Sequence, residues 1–307
     1  MKWAKNLGLI NNQQAEQAIA RSKFAFNFRF SILNTVSEKL RNLVTDITSW
    51  YFYVDDVLDE ISQQTKLTTT QVIQIVEVLV DILHEKRQST KDLPQLSFGD
   101  ALFGEIYNQV CSATLDIQAR IKDVSASYYQ IFCQNLAQWL QTVPVEFEIH
   151  HQKKLLQEAA YLRLRGYNIG MIPQYDMAAI INSLPNYFQQ DHFLCTDRHL
   201  GIMLVVMQND LISLAKELRH TDEDRVNNWV LARYRALRQA KVANPLQLAV
   251  NLCVTEYNQE VERWENSIAT RNFPDEQATM IAAIYFNGVQ SNLDWHVGNE
   301  RYFCLSN

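Results

Sequence analysis

The sequence predicts an all-α chain, on three observations. Glycine (8) and proline (6) are scarce in 307 residues, fewer than the tight turns of a sandwich or barrel require. Apolar residues recur at three- and four-residue spacings nearly from end to end, the period of a helix with one buried face. The breaks in that pattern are short and carry helix stop and start residues.

In chain order, helical segments are expected to start near Asn12, Phe26, Thr69, Gly99, Val124, Gln152, Tyr175, Asp197, Asn228, Pro245 and Asp275. Stop and start signals lie at Lys91-Asp92-Leu93-Pro94, from Gly170 to Pro173, at Ser183-Leu184-Pro185-Asn186, and from His220 to Asn228. Arg87–Ser97 reads as an exposed loop. No gap reads as an interdomain linker and no repeat is evident, so a single domain over residues 1–307, with roughly a dozen helices, is expected.

Apolar residues make up 47% of the chain, enough for a large core. Lys and Arg number 28 against 34 Asp and Glu, a net charge of −6, and no basic stripe marks a nucleic-acid binder. Cys111, Cys133, Cys195, Cys253 and Cys304 are far apart and odd in number, and are expected as reduced thiols in helical cores. The N-terminus lacks the apolar stretch of a signal peptide. The apolar runs at Ile202–Met207 and Met280–Phe286 fall far short of the ~20 residues a bilayer span needs, so a cytoplasmic protein with no stable membrane insertion is expected.

Two clusters carry chemistry. The first follows an aromatic run: Trp50, Tyr51, Phe52 and Tyr53 precede Asp55, Asp56, Asp59 and Glu60. On a helix Asp55 and Asp59 share a face, with Asp56 and Glu60 beside them. Carboxylates this close repel one another, and either take up protons or recruit a cation. Magnesium suits them, being a hard ion that binds one or two carboxylates together with phosphate oxygens. A solvated acidic helix end is the plain alternative. The second cluster, Asn209, Ser213 and Glu217, follows the apolar run from Gly201 to Gln208. Spaced by four, these residues form one helical stripe that drifts by about 40° per step. An amide oxygen, a hydroxyl and a carboxylate on one stripe offer three oxygens to a divalent ion. An ordinary polar helix face would look the same.

Together, a DDxx[DE] cluster early and NDxxSxxxE late resemble the metal-binding signature of class I terpene synthases. Tyr161-Leu-Arg-Leu-Arg165-Gly-Tyr-Asn-Ile-Gly170 is similar to the diphosphate-sensor segment of that family, Asp294-Trp295-His296 with Arg301-Tyr302 to its closing motif, and Trp3 through Ile10 to its early segment. The resemblance covers essentially the whole chain. It implies a class I terpenoid synthase fold, a helical bundle around a central cavity, and three magnesium ions. Two departures stand out. The chain starts almost at the early tryptophan, where relatives carry an N-terminal strap, and Gly166 follows Arg165 where the family pairs arginines. Arg165 matches the first of that pair, with Arg163 as runner-up.

By resemblance, Asp55 coordinates magnesium, Asp59 assists, and Asp56 pairs with Arg301 on closure. Asn209, Ser213 and Glu217 hold the remaining ion. Arg165, Lys216, Arg301 and Tyr302 donate to the diphosphate oxygens, while Asn168 and Ile169, at the helix break, link diphosphate binding to the allylic carbons. Phe52 and Trp295, and more weakly Tyr51, would stabilise the carbocation through their ring faces. His296 reads as a hydrogen-bonded structural histidine and not a base, since the released diphosphate can itself take the final proton. The implied reaction is magnesium-dependent ionisation of farnesyl diphosphate and cyclisation to a sesquiterpene, with C10 and C20 substrates as alternatives. The resemblance also allows a homodimer.

Rival readings remain. A chain-elongating prenyltransferase would carry a second aspartate-rich motif in place of Asn, Ser and Glu. A class II cyclase needs a DxDD acid, and Asp222-Glu223-Asp224-Arg225 lacks the last aspartate. A catalytically silent helical protein that binds isoprenoids is the third.

Overall fold

The computed structural model describes residues 2–9, 36–56, 67–98, 101–185, 191–220 and 226–298. These form eleven α-helices: α1 (Lys2–Asn6), α2 (Glu38–Asp56), α3 (Thr69–Leu83), α4 (Ala101–Val124), α5 (Ala126–His151), α6 (Glu158–Asn168), α7 (Met171–Ile181), α8 (His192–His220), α9 (Trp229–Gln239), α10 (Pro245–Thr270) and α11 (Glu276–Val297). A single 3-10 turn, Thr90–Asp92, interrupts the loop after α3, and there is no strand among the described residues. The chain is all-α, as expected. No helix among the described residues is long and apolar enough to cross a membrane.

Several helix ends follow directly from local chemistry. Thr68 and Gln71 form a reciprocal cap: the Thr68 hydroxyl accepts from the Gln71 amide at 3.3 Å, and Gln71 Oε1 accepts from the Thr68 amide at 2.9 Å. Behind it, Val72, Ile75, Val76, Leu79, Ile82 and Leu83 make one buried face of α3. Pro245 opens α10, where its missing N–H costs nothing, and Asp275 caps α11 by accepting from the Ala278 amide at 2.8 Å.

Other starts differ from the sequence reading. Helix α8 begins at His192 and not near Asp197, because Asp191 Oδ1 accepts from the Phe193 and Leu194 amides at 2.8 and 3.0 Å. Helix α7 begins at Met171, well before Tyr175, because Gly170 turns the chain at φ +76° and Pro173 fits the first helical turn. Helix α6 starts at Glu158 and not near Gln152, since Lys153 takes a left-handed conformation (φ 53°) just after α5. The segment from Trp3 contributes a short helix, with Trp3 Nε1 donating to Asp116 at 2.6 Å. The expected starts at Asn12 and Phe26 lie outside the described residues.

The chain divides into two compact units. One takes the described residues up to His150 together with Ile172–Ser183; the other takes His151–Met171 and those from Leu184 onward. In the first, α3 and α2 each pack on α4, around fully buried Ile47, Trp50, Leu79, Ile82, Phe103 and Phe132. Each such side chain contributes about 1.5–3 kcal/mol relative to exposure. In the second, α8 is the axis, packed by α11, α10, α9 and α6. Its run from Gly201 to Gln208 is buried nearly all round, which overrides the modest helix propensity of Val205 and Val206. One end of α8 is fastened by Asp197, which accepts from Trp264 Nε1 at 3.0 Å and pairs with Arg271 through both carboxylate oxygens.

Cys111, Cys133 and Cys253 are buried free thiols, each pushed up to about 12 by burial. Cys195 departs from expectation: it is exposed on the first turn of α8. Cys304 lies outside the described residues.

Candidate active site

The second unit assembles the stripe that the four-residue spacing predicts. Asn209, Ser213 and Glu217 all lie on α8, and the Ser213 hydroxyl donates to Glu217 Oε1 at 2.5 Å. Neighbouring ligands of one magnesium ion, bound at about 2.0–2.1 Å, stand about 2.9 Å apart, so these two oxygens are already at close to ligand spacing. The donor set of amide, hydroxyl and carboxylate oxygens suits a hard divalent ion. Ser213 is buried, while Asn209, Lys216 and Glu217 are half-buried.

Arg165, on α6, reaches this stripe. Its Nη2 donates to Asn209 Oδ1 at 2.9 Å and its Nη1 to Asn168 Oδ1 at 3.1 Å, while Nε lies 3.9 Å from Asp210 Oδ1. A planar fork of donors allows one residue to span two amide oxygens. Arg163, the runner-up, is exposed two residues earlier on the same helix. Helix α6 stops just past Asn168: Ile169 is its C-cap and Gly170 makes the left-handed turn. A Cβ at Gly166 would meet Met203 Sδ at 3.6 Å, an ordinary contact, so space does not force the glycine there.

Two residues to which sequence reasoning gives no part in the site, Asp210 and Asn228, hold the stripe in place. Asp210 is fully buried; its Oδ2 accepts from Tyr161 Oη at 2.8 Å and from the Trp229 amide at 2.7 Å. It thereby joins α6, α8 and the start of α9. Asn228 accepts from the Val230 and Leu231 amides with Oδ1, capping α9, while its Nδ2 donates to Glu217 Oε2 at 3.0 Å and to the Asp210 carbonyl at 2.9 Å. One side chain thus starts a helix and orients a candidate ligand. Its place before an apolar run signals the first role; nothing local signals the second.

Burial pushes Asp210 up to about 6, against the opposing pull of the Arg165 charge. Because the folded value lies above the ordinary 3.8, the folded state binds the extra proton between these limits. The burden of a charged Asp210 on stability is therefore complete above pH 6 and relieved as pH falls through 6 toward 3.8. In urea denaturation of metal-free protein, the stability of wild type relative to Asp210→Asn is expected to rise on going from pH 7 to pH 5. Parallel pH profiles would contradict this.

In the first unit, α2 carries the aromatic run to its end at Asp56. Asp55 is exposed and Phe52 half-buried. Tyr51 is buried edge-on against Trp139 (4.6 Å between ring centres) and Trp50 (5.5 Å). Its hydroxyl is held well above its ordinary value by burial first and the Asp176 carboxylate second. The Asp176 carboxylate accepts from Asn135 Nδ2 at 2.6 Å. In the second unit Trp295 is buried against His296, with ring centres 4.7 Å apart. Asp59, Glu60, Arg301 and Tyr302 lie outside the described residues, as does the expected stacking of Asp55 on Asp59.

Comparison with known proteins bears on this arrangement. Germacrene A synthase of Nostoc punctiforme is 20% identical over 315 residues, covering 99% of this chain and 88% of the relative. Pentalenene synthase of Streptomyces exfoliatus is 22% identical over 322 residues, covering 98% and 86%. In structure, the linalool/nerolidol synthase of Streptomyces clavuligerus superposes with a TM-score of 0.66 at 17% identity, covering 96% of this chain and 92% of that one, a likeness of fold. The family model described as terpene synthase family 2, C-terminal metal binding, matches residues 46–263, a span that contains both clusters and the helix break. With that match over most of its length, the chain belongs to the terpene synthase family.

Proposed function

We propose that this synthase ionises farnesyl diphosphate in a magnesium-dependent step and cyclises the carbocation to a sesquiterpene, releasing diphosphate. The observation that carries this reading is the Arg165 guanidinium, set between Asn168 at the helix break and Asn209 on the oxygen stripe. Asn209, Ser213 and Glu217 would hold one ion, and Asp55, assisted by Asp59, would serve the other two, with Asp56 pairing with Arg301 on closure. Magnesium, when bound, neutralises the charge that builds on the leaving diphosphate. Arg165 and Lys216, with Arg301 and Tyr302, would donate hydrogen bonds to the same oxygens as the C–O bond breaks and its electron pair leaves with them. Asn168 and Ile169, next to the Gly170 turn, would pass the movement of Arg165 to the residues around the allylic carbons.

After ionisation the cation needs electron density without water. Phe52 and Trp295 would present ring faces, each worth ~2 kcal/mol or more when desolvated. That energy is about a 30-fold bias between competing cation fates. Phe52→Ala is therefore expected to redistribute products while slowing ionisation far less. Gas chromatography of the product mixture checks it, and an unchanged profile would remove Phe52 from the cation's path.

The substrate length rests on the aromatic-rich motif that precedes Asp55 and on relatives named for germacrene A and pentalenene. Parallel incubations with the C10, C15 and C20 diphosphates test it. The C15 substrate is expected to give the highest kcat/KM, and preference for another length would overturn that part of the reading.

A further inference from the structure

We infer that His296 is a positioning residue for the metal stripe, holding the Asn209 amide with its oxygen presented and its nitrogen turned away, a role that rests on reading Asn209 as a metal ligand. A carboxamide turned end over end occupies nearly the same space, yet only its oxygen can bind a cation. Something must choose the orientation. At one end of Asn209 stands Arg165 Nη2, 2.9 Å from Oδ1; a guanidinium only donates, so the oxygen belongs there. At the other end stands His296 Nε2, 3.1 Å from Nδ2.

A histidine nitrogen can donate or accept, and here its partner on the far side decides. His296 Nδ1 lies 2.7 Å from the Asn292 carbonyl, which only accepts, so Nδ1 carries the proton. In the neutral ring Nε2 is then an acceptor, and it takes the Asn209 N–H. Arg165 also favours this orientation, but in the proposed reaction its guanidinium turns to the diphosphate. His296 would go on holding the amide after that change.

The histidine is itself fastened. It is 1% exposed on α11, next to Asn292, whose Nδ2 donates to Gln208 Oε1 at 2.9 Å. Gln208 Nε2 donates in turn to Tyr257 Oη at 2.6 Å and to the Val289 carbonyl at 3.2 Å. The chain of bonds therefore runs from α10 through α8 and α11 back to Asn209, within one compact unit. A satisfied buried network of this kind is rigid, which an orienting group requires. Partners of metal ligands typically govern affinity by 10–100-fold when changed.

The test is Mn2+ binding, followed by electron paramagnetic resonance of the full chain with inorganic diphosphate. Gln places its amide oxygen where Nε2 stands, whereas Asn reaches only the Nδ1 position and Leu fills space alone. His296→Gln is expected to bind Mn2+ much as wild type does, while His296→Asn and His296→Leu lose roughly 10–100-fold in affinity at the site that Asn209→Ala removes. Circular dichroism verifies that each variant is folded, and the Asn and Gln pair decides the matter should Leu not fold. Wild-type affinity in the Asn variant, or a Gln variant as weak as the Asn one, overturns the role of His296 while leaving the metal stripe standing. An Mn2+ titration unchanged by Asn209→Ala removes the stripe, and this role with it.

Discussion

Asn209→Ala is expected to lower turnover of farnesyl diphosphate by roughly 10²-fold or more while the helices stay intact. Partners one step removed from a metal typically cost 10–100-fold when changed, so a ligand should cost at least the upper end. The fold should tolerate the change, because alanine favours a helix and Asn209 is half-buried. Arg165 would keep its bond to Asn168 and its proximity to Asp210. Steady-state kinetics with a thermal melt checks both halves. Near-normal activity in a folded variant would mean that the stripe does not serve the reaction.

Arg165→Lys should lower kcat/KM by roughly 10²–10³-fold, comparable to removing one preorganised donor from a charge-stabilising site. The change keeps the charge and loses the fork. Arg165 now reaches Asn168 Oδ1, Asn209 Oδ1 and the Asp210 carboxylate at 3.1, 2.9 and 3.9 Å. One ammonium on a flexible stem cannot hold that geometry or address two diphosphate oxygens in a plane. Inhibition by inorganic diphosphate should weaken alongside, since on the proposed function the same donors would bind the product. A lysine variant close to wild type would contradict the sensor role, and a larger loss in Arg163→Lys would move that role to the exposed arginine.

How far these sites were legible depends on the range of the interactions that make them. The stripe of Asn209, Ser213 and Glu217 is readable because four-residue spacing on a helix is a local property, and the Ser213 to Glu217 bond realises it. Helix starts set by a cap, at Thr68, Asn228 and Asp275, are readable for the same reason. Apolar periodicity marks where burial begins and not where the first hydrogen-bonded turn begins, so it places α8 at Asp197 and overlooks the Asp191 cap. The bonds that tie Asp210, Asn228 and His296 to other helices or to the stripe are illegible for a different reason. Their partners are 19, 11 and 87 residues distant along the chain, and no spacing rule predicts which helices will meet. His296 in particular reads from sequence as a satisfied core histidine. It is satisfied, and the group satisfying Nε2 is the amide of a candidate metal ligand.

The most direct test of the whole account is gas chromatography with mass spectrometry of the volatile products formed by the purified chain from farnesyl diphosphate, with magnesium and with magnesium chelated. A cyclic C15 hydrocarbon or alcohol that requires the metal is the expected result. No cyclised product from the C10, C15 or C20 diphosphate in the presence of magnesium, or a product indifferent to chelation, would contradict it.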